Sequence, residues 1–167
     1  PRVVLIGPTA SGKSKIGKRI ARLLGYSLVC TDKVIEASHG MIADIFAEHG
    51  EPYFRERERE VVSEALSGSG VVSLGGGAVV TPATREELAD HRVVQFTISE
   101  DAVSHRVADS PKRPLLAGGL DAWKKLVAAR QAWYDECSSV SVDVSHRDPD
   151  DVAHEVVAWL TQEESDD

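Results

Sequence analysis

The run Val3-Val4-Leu5-Ile6-Gly7-Pro8-Thr9-Ala10-Ser11-Gly12-Lys13-Ser14 decides how the rest of the chain is read. Four consecutive apolar residues make a strand covered on both faces. The eight residues from Gly7 match G-x-x-x-x-G-K-[ST] in full. Glycines let the backbone curl so that N–H groups face phosphate oxygens, and the helix that follows adds its positive N-terminus. In this reading Ala10, Ser11 and Gly12 cradle phosphate, Lys13 neutralises the β and γ charges, and the Ser14 hydroxyl ligates Mg²⁺. A glycine turn with an incidental lysine is the bland alternative. The placement between a strand and an amphipathic helix favours a nucleotide site.

Outward from this loop, strand-like and helix-like segments alternate. Strands are predicted at Val3 to Gly7, Ser27 to Asp32, Val71 to Gly75, Val93 to Ile98 and Val140 to Val144. Ile16, Ile20, Leu23 and Leu24 share a helical face that ends at Gly25, a C-cap. Thr81-Pro82 opens another helix, as does Ser99 followed by Glu100 and Asp101. A closing helix runs from Asp150 to Leu160 with Val152, Val156, Val157 and Leu160 on one face. Such alternation predicts an α/β fold with a parallel sheet and helices on both sides. Two zones read as irregular: His39 to Tyr53, and a mobile loop from Asp109 to Gly119.

The chain has 167 residues, 42% hydrophobic, which suits one domain over 1–162 and an acidic tail at 163–167. The net charge of −8 argues against a nucleic-acid surface. Half of that excess lies on Glu163, Glu164, Asp166 and Asp167, read as a frayed, solvated end. No apolar run approaches the ~18 residues of a membrane helix, and no leader precedes Val3. Cys30 and Cys137 give neither a disulfide framework nor metal-ligand spacing, so a cytoplasmic location is expected. His39, His49, His91, His105, His146 and His154 read as surface residues. No N-K-x-D motif reads guanine, and the chain is sized for a small-molecule or nucleotide kinase.

Ligands of open α/β sheets bind outside the carboxyl ends of the strands. There the sequence places Asp32, able to accept or align a hydroxyl, and Gly75-Gly76-Gly77, which lets a ligand approach the backbone. As bland alternatives, Asp32 caps a helix and the glycines form a turn. Arg55 precedes Glu58 in an alternating-charge segment, Arg113 lies in the Pro/Gly loop, and Arg130 sits inside an amphipathic helix. Arginine suits bidentate capture of a carboxylate.

GPTASGKS, TD after the second strand, IADIF, GEPYFRERE, SLGGGAV, KRPLL and AARQAWY, in this order, resemble shikimate kinase over all but the tail. The resemblance implies a three-layer P-loop kinase fold, its five-stranded parallel sheet ordered 2-3-1-4-5 and covered by a mobile lid at about 109–119. It also implies transfer of the γ-phosphoryl of ATP to the 3-hydroxyl of shikimate with Mg²⁺, on the route to aromatic amino acids, by a cytoplasmic monomer. By that resemblance Lys13, Asp32 and Arg113 are catalytic. Asp32, Arg55, Gly75, Gly76, Gly77 and Arg130 bind shikimate within a region of about 32–60 and beyond. Phe46 and Phe54 wall its ring, and Glu58 orients Arg55. Lys15, Arg106, Arg113, Arg147 and Pro149 join the phosphate loop around ATP, with Arg106 stacked on the base.

Three features depart from that pattern. Cys30 replaces an Asp that supports the water shell of Mg²⁺, Lys15 replaces Thr, and Thr9-Ala10 replaces Pro-Gly. The same cradle would also serve a sugar acid in a gluconate-type kinase. Cys30 keeps a non-catalytic ligand-binding paralogue in view. Cys30 itself reads as a small strand residue rather than a reactive thiol.

Overall fold

In a computed structural model, residues 1–109 and 118–167 are described, and Arg113 with the centre of the expected lid lies outside them. The elements run β1 Val3–Ile6, α1 Lys13–Leu24, β2 Leu28–Cys30, α2 Thr31–His39, α3 Ile42–Leu66 and β3 Val71–Ser73. A 3₁₀ turn at Ala78–Val80 follows, then α4 Pro82–Leu88, β4 Val93–Thr97, α5 Glu100–Asp109, α6 Gly119–Cys137, β5 Val140–Asp143 and α7 Pro149–Asp166. The five strands form one parallel sheet in the order β2-β3-β1-β4-β5. All five predicted strands are present, each shorter by a residue or more at its carboxyl end.

Side-chain alternation along β1 divides the core. Val3 and Leu5 pack with Ile16, Ile20, Val152, Val156 and Leu160, so α1 and α7 cover one face. Val4 and Ile6 pack with Val62, Leu66, Leu88 and Tyr134, so α3, α4 and α6 cover the other. Gly25 ends α1 in a left-handed conformation as predicted. The Ser99 hydroxyl accepts from the Ala102 amide at 3.1 Å, as a cap should. Leu23, expected on the apolar face of α1, is instead 47% exposed.

Two expectations are corrected. The zone from His39 to Tyr53 is helical apart from the break at Gly40 and Met41, covering the end of α2 and the first half of α3. Ile42, Ile45 and Tyr53 pack on Ile35 and Phe54, and this burial outweighs the Gly and Pro that signalled a loop. Gly50, at φ 81°, kinks α3 just before Pro52. The acidic tail is also ordered as helix, since α7 continues to Asp166. Its side chains are exposed, but Arg2 pairs with Glu164 and Arg92 with Glu164 and Asp167.

Candidate active site

The carboxyl ends of β1, β2 and β3 open into one cleft of about 330 Å³. Ala10, Gly12, Lys13, Ser14, Lys15, Asp32, Gly75, Gly76 and Arg106 all line it, as does Cys30. The Lys13 ammonium is buried and donates to the carbonyls of Gly7 at 2.6 Å and Pro8 at 3.0 Å. Burial lowers its pKa to about 8, against the pull of Asp32 and Cys30. Ser11 closes the loop from within, its hydroxyl donating to the Pro8 carbonyl at 2.7 Å.

Ala10 adopts φ 71°, a left-handed conformation that a side chain resists. Two side chains from other elements hold this stretch. The Arg106 guanidinium donates to the Ala10 carbonyl at 2.8 Å, and the Trp123 indole donates to the Thr9 carbonyl at 2.8 Å. Thus α5 and α6 both grip the phosphate loop.

Asp32 lies in the first turn of α2 rather than on β2, and faces Gly75. Burial raises its pKa, and Lys13 and Arg55 oppose that rise. Thr31 keeps the two turns together: its hydroxyl donates to the Ser73 carbonyl at 3.3 Å and accepts from the Gly75 amide at 3.3 Å. Arg55 projects from α3 onto Gly77, where a side chain would collide with its guanidinium. It pairs with buried Glu58 at 2.8 Å and with Glu51 at 3.3 Å. Burial raises the Glu58 pKa, while the Arg55 charge and hydrogen bond pull it down.

Phe54 is only 3% exposed and belongs to the core cluster under α3, whereas Phe46 stacks on it at 4.7 Å and is 37% exposed. Arg130 projects from α6 near Tyr134, and its charge bears on Lys13, Glu58 and Tyr134. Arg147 follows β5, donating to the Asp143 carbonyl at 3.1 Å and to Glu155 at 2.9 Å. Pro149 forms the first turn of α7. Neither is among the residues that line the cleft.

The Ser14 hydroxyl lies 3.3 Å from the Cys30 sulfur. Among the described residues no group of three or more His, Cys, Asp and Glu side chains is arranged to hold a metal. Mg²⁺ typically takes one or two protein oxygens and completes its shell with water and substrate phosphates. Ser14, with Asp32 in the same cleft, fits an ion that arrives with a nucleotide.

Sequence reading missed three residues of the site: Thr31, Trp123 and Tyr134. The Tyr134 hydroxyl donates to the Gly76 carbonyl at 2.6 Å. The available signal was the spacing of Trp123, Val127, Arg130 and Tyr134, which puts all four on one helical stripe.

A phosphate loop, a carboxylate and a glycine turn at adjacent strand ends make a kinase site, and comparison with known proteins decides the family. The family model for shikimate kinase matches residues 9–161. The chain belongs to the shikimate kinase family. It is 44% identical to the shikimate kinase of Corynebacterium jeikeium, over 97% of this chain and 89% of that one. A solved shikimate kinase from Acinetobacter baumannii, in complex with shikimate, superposes with a TM-score of 0.88 at 29% identity, covering 96% and 93% of the two chains. This chain is accordingly a kinase that phosphorylates shikimate. A gluconokinase from Sinorhizobium meliloti shares the fold at a TM-score of 0.62 and 18% identity, covering 96% and 91%. That more distant likeness does not favour the sugar-acid alternative. No helix among the described residues is long and apolar enough to cross a membrane.

Proposed function

We propose that ATP and shikimate meet in the cleft at the ends of β1, β2 and β3, with the residues acting as follows. Lys13 leaves the carbonyls of Gly7 and Pro8 and takes the β and γ phosphates, while Ala10, Ser11 and Gly12 receive the phosphate chain. Ser14 would hold Mg²⁺, whose charge would offset that of the phosphates. Arg55 and Arg130, with the backbone N–H groups of Gly75, Gly76 and Gly77, clamp the shikimate carboxylate. Asp32 fixes the hydroxyls and aligns the 3-hydroxyl with the γ-phosphorus. Burial makes it a better proton acceptor than an exposed carboxylate, though phosphoryl transfer depends chiefly on position and charge.

Glu58 orients Arg55, and Phe46 with Phe54 borders the ring. Lys15, Arg106, Arg147 and Pro149 lie on the nucleotide side, with Arg106 moving from the Ala10 carbonyl to the base. Arg113, which lies outside the described residues, is assigned by the family resemblance to the charge of the transferring phosphate. The enzyme works as a cytoplasmic monomer.

One observation carries this reading: Lys13, Asp32 and the glycine turn share a single cleft. A coupled ADP-release assay with Mg²⁺ and ATP tests it. Turnover should depend on shikimate, and Arg55→Ala should raise the shikimate KM by about tenfold or more, the loss of a charge-assisted pair. Turnover indifferent to shikimate, or an Arg55→Ala variant with an unchanged KM, would sink the assignment.

A further inference from the structure

The groups assigned to the shikimate carboxylate come from three elements, α3, α6 and the turn after β3. A bidentate clamp works only if these donors keep a fixed relation. Arg55 is held by Glu58. Arg130 and the Gly75–Gly77 turn meet at one residue, Tyr134.

Tyr134 stands one helical turn beyond Arg130 and lines a narrow crevice with it, together with Pro8, Thr9 and Trp123. Its ring is 1% exposed, in the core beside Val4 and Ile6, so the hydroxyl has little freedom of position. That hydroxyl donates to the Gly76 carbonyl at 2.6 Å, which fixes the rotation of the peptide joining Gly76 to Gly77. Because the donated proton leaves the oxygen's lone pairs free, the same atom can accept from a guanidinium. Burial raises the phenol's pKa, while the charge and hydrogen bond of Arg130 pull it down, as expected of that arrangement.

We propose that Tyr134 is a positioning residue for the acceptor: its hydroxyl couples Arg130 to the Gly76–Gly77 peptide, so that side-chain and backbone donors meet the carboxylate in one geometry. Tyr134 does not touch the substrate. Trp123, eleven residues earlier on the same stripe, performs the corresponding service for the phosphate loop through the Thr9 carbonyl. The two hydrogen bonds therefore divide the labour along α6, one for each substrate.

The proposal rests on the carboxylate assignment made above, and Tyr134→Phe tests it by removing only the hydroxyl. Wild-type turnover of shikimate is the control, and its failure would overturn the parent reading together with this one. With that control intact, Tyr134→Phe should raise the shikimate KM roughly three- to tenfold, the range of one neutral hydrogen bond. The ATP KM should stay within about twofold. The rise in melting temperature on adding shikimate without nucleotide should shrink. An unchanged shikimate KM, or an equal rise in both KM values, overturns the proposal, because a merely structural tyrosine loosens the whole cleft. A wild-type measurement guards against a variant that does not fold. The chain has 3 tyrosines, so ¹³C labelling at Cζ gives few resonances. Shikimate alone should move that of Tyr134, and a resonance that stays in place overturns the proposal.

Discussion

Ala10 occupies a left-handed backbone conformation, φ 71°, at a position where the family resemblance leads one to expect glycine. The methyl group costs about 1 kcal/mol there. It recovers part of that by restricting the unfolded chain, about 0.4–1 kcal/mol. Ala10→Gly should therefore raise the melting temperature slightly, by about 1–3 °C; calorimetry showing a fall would contradict the strain. Lys13 has a larger effect. Its ordinary pKa of 10.5 falls to about 8 in the folded protein. Between those values the unfolded chain holds a proton that the folded protein has released, so the stability contributed by this group rises with pH through that window. In the proposed site, a bound triphosphate would restore the charged form. Near pH 8, where the group is half protonated, ATP binding should take up about half a proton, read by titration calorimetry in buffers of different ionisation enthalpy. Proton release on binding would count against this account of Lys13. The loop residues were legible in sequence because the chemistry fixes their types and spacing. Trp123 and Tyr134 were not, because each serves a backbone carbonyl, and carbonyls carry no sequence signature.

Elements were easiest to read where periodicity and punctuation agreed. All five strands and the starts of α4 and α5 are of that kind. In α3 they conflicted. Gly40, Gly50 and Pro52 announce a loop, yet Ile42 and Ile45 pack on Ile35 and Phe54 and keep the segment helical. Gly50 absorbs the conflict through its left-handed backbone and aligns Phe46 over Phe54. Gly50→Ala should therefore cost roughly 1–2 kcal/mol in urea unfolding. It should also raise the shikimate KM, since Arg55 and Glu58 lie just beyond the kink. An alanine that costs nothing would show that the two halves of α3 join without strain. The last third of α7 was missed for a different reason: four acids in five residues look like a solvated tail. What they lack in apolar spacing is supplied by Arg2 and Arg92, more than 70 residues away in sequence.

Across the whole molecule, a net charge of −8 coexists with a cleft that gathers Lys13, Lys15 and Arg106, with Arg55 and Arg130 close by. Half of that excess lies at the end of α7, where Glu164 and Asp167 pair with Arg2 and Arg92 just before β1 and β4, at the end of the sheet opposite the cleft. Removing residues 163–167 should leave kcat unchanged and cost less than about 1 kcal/mol of stability, because the ion pairs it breaks are exposed. That small cost should shrink further at high salt. A loss above about 2 kcal/mol would mean that the tail is part of the core. The sheet order has a consequence in time. β1 carries the phosphate loop and lies between β3 and β4, with Val3 opposite Val71 and Val4 opposite Val93. During synthesis at about 5–20 residues per second, both edges of β1 therefore wait several seconds for their partners. A ribosome paused before residue 93 holds a chain whose first strand, wholly apolar in side chains, has one edge of unpaired backbone N–H and C=O groups. Nascent-chain quality control would meet this enzyme at its catalytic strand.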